Sequence, residues 1–417
     1  MSDYIIEGGR KLEGEVEISG SKNAALPIIA ATILNGGKTT LYNVPNIHDT
    51  QMMFEILRKL GGTVTKKPNK VIIDTSKIDK YEIPEDLMRQ MRSSVIFVGS
   101  LVGKHRKVTF SYPGGCDIGT RPIELHLKAF EKLGININKN YGNIECICDR
   151  IIGEKIDFEF PSVGATENAI LASCLAEGKT LITNAAREPE IIDLQNFLNK
   201  MGAKIKGAGS SKIEIEGVKK LKDVSYNIMP DRIETGTFLC LGAINNSSNI
   251  IIKKADSTHI TPIIDKLEET GCKINIKKGK IEITSPKKIK AVDIKTMPYP
   301  GFPTDMQSIF ATLLTTAKGT SVVVENIFEN RYKYTQELIR MGAKISIEGK
   351  TAVIKGVRKL YGANVNATDL RGGAALVLAA TVAKGTTKIE NIEYILRGYE
   401  SLDKKLMKLG VNIQTKL

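Results

Sequence analysis

The chain reads as an α/β protein of two domains, each assembled from three copies of one β-α-β-α-β-β unit. Three observations predict this. A short segment built on a helix-ending glycine recurs six times. An almost wholly apolar helix rich in small residues lies upstream of each copy. Two short alternating segments follow each glycine. At 417 residues the chain also exceeds one ordinary hydrophobic core, so two domains is the natural division.

The repeated segments are Leu60-Gly61-Gly62-Thr63-Val64, Leu133-Gly134-Ile135-Asn136-Ile137, Met201-Gly202-Ala203-Lys204-Ile205, Thr270-Gly271-Cys272-Lys273-Ile274, Met341-Gly342-Ala343-Lys344-Ile345 and Leu409-Gly410-Val411-Asn412-Ile413. Their glycines fall at 61, 134, 202, 271, 342 and 410, in steps of 73, 68, 69, 71 and 68. That period is too long for a common solenoid and suits a supersecondary unit used six times. Each glycine closes an amphipathic helix, as in 193–201 and 335–341, where glycine just past the end is the expected stop.

The upstream helices are predicted at 24–34, 93–101, 165–176, 235–243, 306–315 and 373–383. Being apolar all round, they belong inside. A β-rich stretch such as 320–325 or 386–390 joins the two helices. Short alternating strands such as 212–218 and 280–284 follow the glycine. Each domain should therefore wrap sheets around buried helices.

The sixth unit stops at Leu417, one strand short. The amino terminus, Ile5-Ile6-Glu7-Gly8 leading to Lys11-Leu12, resembles Val353-Ile354-Lys355-Gly356 leading to Lys359-Leu360. Residues 1–21 should therefore complete the last unit. The expected domains are 22–229, and 1–21 with 230–417, with the active-site cleft between them. The chain would cross twice, near residues 21 and 229, as a hinge does.

Counting back from each glycine, the buried helices start at Lys22, Arg92, Gly164, Arg232, Asp305 and Arg371. The second helices start at His48, Arg121, Arg187, His259, Arg331 and Arg397. Cations at helix N-termini oppose the macrodipole by about 0.3–1 kcal/mol each. A bound anion resolves the conflict. Equivalent positions in repeated units lie at one end of a domain, so an anion-attracting cleft is expected. Two acids stand among these cations, Asp305 and Asp369, each an N-cap, a base or an orienting carboxylate.

The net charge is +14, from 60 Lys and Arg against 46 Asp and Glu, which favours anionic partners. The basic residues are dispersed, aromatics are 6% and Trp is absent, so no nucleic-acid stacking platform is evident. No apolar run is long enough to span a membrane, and Met1-Ser2-Asp3-Tyr4 does not open a secretory signal. Six cysteines without a paired framework fit reduced thiols and a cytoplasmic location. No Walker loop is present. Gly207-Ala208-Gly209 reads as a turn, Cys146 and Cys148 read as packing, and the four histidines lack ligand spacing. No metal and no organic cofactor is implied.

One segment carries reactive chemistry: Pro113-Gly114-Gly115-Cys116-Asp117-Ile118-Gly119-Thr120-Arg121-Pro122. It sets a thiol on a glycine-rich turn with a cation nearby, the setting that makes a cysteine reactive. As a lid over a charged cleft, such a loop excludes water on closing.

This segment resembles the enolpyruvyl transferase family. So do Ser19-Gly20-Ser21-Lys22-Asn23-Ala24-Ala25-Leu26-Pro27, Ser162-Val163-Gly164-Ala165-Thr166, Asn184-Ala185-Ala186-Arg187-Glu188-Pro189-Glu190, Pro230-Asp231-Arg232-Ile233-Glu234-Thr235-Gly236-Thr237, Phe302-Pro303-Thr304-Asp305-Met306-Gln307 and Arg397-Gly398-Tyr399-Glu400. The resemblance spans the whole chain. It implies two inside-out α/β barrels of three units each. It also implies transfer of the enolpyruvyl group of phosphoenolpyruvate to the 3′-hydroxyl of UDP-N-acetylglucosamine, the first committed step of peptidoglycan precursor synthesis.

By the same resemblance Lys22, Arg121 and Arg397 hold phosphoenolpyruvate, with Asn23, Arg331 and Arg371 nearby. Arg92, Arg121, Pro122, Ile123, Glu124, Leu125, Ser162, Val163, Gly164, Arg232, Asp305 and Ile327 are implied contacts of the UDP-sugar. Asp305 is the candidate base, Cys116 the proton-donor thiol that the epoxide antibiotic fosfomycin alkylates, and Asp369 a group that orients Arg371 or a proton. Gly372-Gly373 depart from the Ala and Ser expected after Arg371, which bears on the rigidity of that arginine. A family member with 3-phosphoshikimate as acceptor, a nucleic-acid-binding protein and an inactive regulatory paralogue are the competing readings.

Overall fold

The computed structural model describes residues 2–114, 118–119 and 122–416. The chain folds into two compact units. One is Gly20–Cys116 with Arg121–Met229; the other is Met1–Ser19 with Pro230–Leu417, and it takes in Ile118 and Gly119. Each has its own hydrophobic core: the first draws only on residues 24–229, the second only on 4–18 and 233–413.

The apolar helices form the centre of each unit. They are Lys22–Ala31, Ile96–His105 and Val163–Ser173 in the first, and Arg232–Ile244, Gln307–Leu314 and Leu370–Val382 in the second. Residues such as Ala30, Ile170, Leu239, Phe310 and Ala379 are fully buried. Helices outside strands would expose these all-apolar faces, so the sheets take the outer positions.

All six repeat glycines adopt left-handed backbone, with φ of 106° at Gly61, 80° at Gly134, 101° at Gly202, 97° at Gly271 and 93° at both Gly342 and Gly410. The N–H of the next residue returns to a helix carbonyl five positions back each time: Gly62 to Leu57, Ile135 to Phe130, Ala203 to Leu198, Cys272 to Leu267, Ala343 to Leu338 and Val411 to Leu406. This is one Schellman stop used six times, and glycine occupies its left-handed position without steric cost.

The sheets share one strand order. In the third unit it is Lys204–Lys206, Lys212–Glu216, Lys179–Thr183, Lys155–Asp157, with only the last pair parallel. The parallel place is filled from afar at each crossing of the chain. Val224–Asn227 takes it beside Lys38–Tyr42, and Glu13–Glu17 takes it beside Asn249–Lys253. Asp3–Glu7 pairs antiparallel with both Thr386–Glu390 and Asn412–Lys416, filling the place the sixth unit lacks. Residues 1–21 thus serve two units rather than the last alone, because the five residues 8–12 suffice to reach the next sheet. In the second unit the parallel place shrinks to a single bridge, Glu82 to Thr109, before Pro84.

Asp193, on the Pro189–Lys200 helix, pins the returning strand in the first unit. Its Oδ1 accepts the Tyr226 hydroxyl at 2.7 Å and its Oδ2 the Met229 N–H at 3.3 Å. Burial pushes its carboxyl up from 3.8 to about 6, against the pull of those two hydrogen bonds. The folded chain therefore holds this proton more tightly than the unfolded chain. The stabilisation is full below the unfolded value near 3.8 and is lost as pH rises through about 6. Asp193→Asn is neutral throughout. Its stability relative to wild type should rise by roughly 1–3 kcal/mol between pH 4 and pH 7. Denaturant titrations across that range check this; a pH-independent difference is the contrary result.

Candidate active site

In the Gly20–Met229 unit, Ser21 caps the Lys22–Ala31 helix, its Oγ accepting the Ala24 N–H at 3.3 Å. The helix thus begins at Lys22, with Asn23 beside it. Lys22 is buried, and its Nζ lies 2.7 Å from Oδ2 of Asp49, itself buried. Sequence reasoning missed Asp49; its position just after His48, at the start of the second helix, was the available signal.

Three other predicted segments of this unit converge through Asn168. Its Oδ1 accepts the Gly99 N–H at 2.7 Å. Its Nδ2 donates to the Val95 carbonyl at 3.1 Å and lies 2.8 Å from His126 Nδ1. Arg92 starts the 3-10 turn that ends at Val95. Pro122 and Ile123 lead into the Glu124–Lys132 helix, which carries Glu124, Leu125 and His126. Ser162 caps the Val163–Ser173 helix, and a Cβ on Gly164 would stand 3.1 Å from His126 Cε1. Asn168 and His126 are therefore the fastener of Arg92, 122–125 and 162–164, and neither was singled out in the sequence. Cys116 and Arg121 lie outside the described residues. The root of their segment is seated: the Gly114 N–H donates to the Met88 carbonyl at 3.1 Å, and a Cβ there would meet the Arg89 carbonyl oxygen at 2.0 Å.

In the other unit, Asp305 is the centre. It lies in a 3-10 turn, Thr304–Met306, ahead of the Gln307–Leu314 helix. Its Oδ1 accepts from Arg331 Nη2 at 2.9 Å and its Oδ2 from Arg371 Nη2 at 3.0 Å. The two arginine side chains are 4% exposed and that of Asp305 29%, so the carboxylate faces outward from a buried pair of cations. Burial alone would depress Arg371, but Asp305, then Tyr399 and Asp231, outweigh it and raise it. Arg331 Nε, Arg371 Nε and Arg371 Nη1 are buried donors without a protein acceptor among the described residues. Donors in that condition call for an anion or water.

Asp369 is the N-cap of the Leu370–Val382 helix, its Oδ1 accepting the N–H groups of Arg371 and Gly372, each at 3.0 Å. It thus fixes the backbone at Arg371 and touches that residue's N–H rather than its guanidinium. Asp231 caps Arg232–Ile244 in the same way. Arg232 is buried, with its guanidinium carbon 5.6 Å from the Tyr299 ring centre. Ile327 donates its N–H to Glu325 at 2.8 Å. Gly372 and Gly373 are packing residues. A Cβ on the first would meet Asp369 Oδ2 at 2.6 Å, and on the second Ile395 Cγ1 at 2.7 Å. The close seat of Ile395 replaces the looseness expected from two glycines.

The expected cations at second-helix N-termini need correction. Arg331 precedes its helix, Thr335–Arg340, by four residues, and Arg187 precedes Pro189–Lys200 by two. Arg397 ends the short Glu393–Leu396 helix rather than starting one. The backbone turns there: Gly398 packs on Leu370, and Ser401 has φ of 47°. The cations in core-helix first turns meet carboxylates of the chain itself, Asp49 for Lys22 and Asp305 for Arg371.

Tyr399, which the sequence offered only within a motif, is buried with its ring centre 5.3 Å from the Arg371 guanidinium carbon. Its hydroxyl lies 2.8 Å from Thr237 Oγ1. Tyr399→Phe deletes that hydroxyl and should cost about 0.5–1.5 kcal/mol of stability, read from the denaturant midpoint. An unchanged midpoint would show the contact to be idle.

Residues 6–406 match the family described as EPSP synthase (3-phosphoshikimate 1-carboxyvinyltransferase). The chain is 52% identical over 414 residues to UDP-N-acetylglucosamine 1-carboxyvinyltransferase 2 of Caldanaerobacter subterraneus subsp. tengcongensis, covering 99% of each. It is 48% identical to the enzyme of that name from Clostridium tetani, again covering 99% of each. Among solved structures, the enolpyruvyl transferase NikO from Streptomyces tendae superposes with a TM-score of 0.90 at 24% identity, covering 100% of this chain and 99% of that one. EPSP synthase from Acinetobacter baumannii gives 0.75 at 17%, covering all of both; these two likenesses speak for the fold. With half its residues shared over nearly its whole length, the chain belongs to the enolpyruvyl transferase family.

Proposed function

We propose that this protein transfers the enolpyruvyl group of phosphoenolpyruvate to the 3′-hydroxyl of UDP-N-acetylglucosamine, releasing phosphate, as the first committed step of peptidoglycan precursor synthesis in the cytoplasm. The observation that carries the reading is Asp305, bridged to Arg331 and Arg371 with further buried donors left over. The names of relatives about half identical to the chain support the choice of acceptor. Among the described residues no helix is long and apolar enough to cross a membrane.

In this reading the acceptor oxygen bonds to C2 of phosphoenolpyruvate while C3 takes a proton. The hydroxyl proton passes to Asp305. The tetrahedral adduct then loses its C2–phosphate oxygen bond and returns a C3 proton to the Cys116 thiolate, leaving the enol ether and inorganic phosphate. Lys22, Arg121 and Arg397, with Asn23, Arg331 and Arg371, bind the anionic donor. Arg92, 121–125, 162–164, Arg232 and Ile327 bind the UDP-sugar. Cys116 supplies the C3 proton, and fosfomycin alkylates it. Asp369 holds Arg371 in place.

Phosphate release from phosphoenolpyruvate tests this, with UDP-N-acetylglucosamine, with shikimate 3-phosphate and with neither. Release only with the UDP-sugar is expected; release only with shikimate 3-phosphate would move the assignment to the other acceptor. Asp305→Asn should lower kcat about 10²–10⁴-fold, and a loss below tenfold would remove Asp305 as the base. Fosfomycin should abolish turnover and add its mass to the wild type but not to Cys116→Ser; equal labelling of both would exclude Cys116.

A further inference from the structure

Glu325 lies one residue past the strand Thr320–Val324 and is 1% exposed. It accepts four hydrogen bonds. Thr296 Oγ1 donates to its Oε1 at 2.9 Å, as do the N–H groups of Ile327 at 2.8 Å and Phe328 at 3.1 Å. Thr304 Oγ1 donates to its Oε2 at 3.0 Å. A carboxylate offers about four lone-pair sites over its two oxygens, and donors of the protein itself reach both oxygens, three on Oε1 and one on Oε2. Thr296 extends the knot, its Oγ1 accepting the Asn326 N–H at 2.9 Å.

What Glu325 holds is informative. Thr304 immediately precedes Asp305, and its carbonyl accepts Arg331 Nη2 at 3.2 Å. The same nitrogen donates to Asp305 Oδ1 at 2.9 Å. Glu325, Thr304, Asp305 and Arg331 therefore form a continuous chain of contacts. The turn at 327–328 hangs from the other oxygen of the same carboxylate. Burying a carboxylate is costly unless it is fully satisfied, and packing alone would be met by an apolar side chain.

We propose that Glu325 is a positioning residue for the transfer reaction: through Thr304 it sets where Asp305 stands, and through the N–H groups of Ile327 and Phe328 it sets the turn that meets the acceptor sugar. This rests on the roles given to Asp305 and Ile327 under Proposed function. Displacement of a reacting group by about 1 Å can cost about 10²-fold in rate, so a buried residue outside the substrate's reach can govern kcat.

Glu325→Gln, Thr304→Val and the double variant test it. The glutamine keeps one carbonyl oxygen for Thr296, Ile327 and Phe328 but turns an NH₂ donor to Thr304, whose hydroxyl must reverse from donating to accepting, so its defect falls on the link to Asp305. Both single variants should lose about 10–100-fold in kcat, with KM for phosphoenolpyruvate within about twofold of wild type. The double variant should be no more than about twofold worse than the poorer single, because one link is cut twice. Independently of any substrate, amide exchange of peptides covering 304–306 should quicken in Glu325→Gln while 327–328, whose N–H groups keep their carbonyl acceptor, and the rest of the chain are unchanged. Near-wild-type kcat in either single variant, multiplying defects, or unchanged exchange in the 304–306 peptides would overturn the proposal. Absence of turnover in the wild type would instead sink the reading of the reaction, and the exchange result would still decide for Glu325.

Discussion

Six helices with no polar face must be hidden, and the rest of the molecule follows from that. None of the repeat units can bury its own apolar helix alone, because a four-stranded sheet covers one side. Three helices packed on one another, with sheets outside, solve the problem once in each unit. The strands borrowed across the chain, Asp3–Glu7, Glu13–Glu17 and Val224–Asn227, complete the sheets that the linear order leaves short.

The same constraint concentrates charge. Helix first turns carry Lys22, Arg232 and Arg371, all buried, where each cation forfeits hydration worth several kcal/mol. The chain supplies the compensation locally. Asp231 and Asp369 cap the helices beneath their arginines, Asp49 meets Lys22, and Asp305 spans Arg331 and Arg371. One carboxylate shared by two guanidiniums leaves the set cationic. It also leaves buried donors without a protein acceptor among the described residues, a condition that calls for an anion or water.

Much of this was legible in the sequence because it repeats. A glycine every 70 residues reports a left-handed helix stop, since other side chains resist that backbone, and all six adopt it. Lys22, Asp305 and Arg371 stood out by their place relative to those glycines. The second-helix cations misled, because counting residues assumes a regular helix start. The approaches to Thr335–Arg340 and Leu402–Lys408 instead contain turns of unequal length.

The sequence by itself determined the unit, its sixfold use, the buried helices and the family, since these depend on local backbone preference, hydrophobic period and contiguous motifs. Only the tertiary structure decided which side chains act together. Asp49 reaches Lys22 across 27 residues, Arg371 reaches Asp305 across 66 and Tyr399 reaches Thr237 across 162. Glu325, in a plain strand-ending context, became a keystone only when Thr296 and Thr304 folded onto it. The reason is physical: a hydrogen bond is set by distances of about 3 Å in space, and nothing in the linear order of a chain measures that distance.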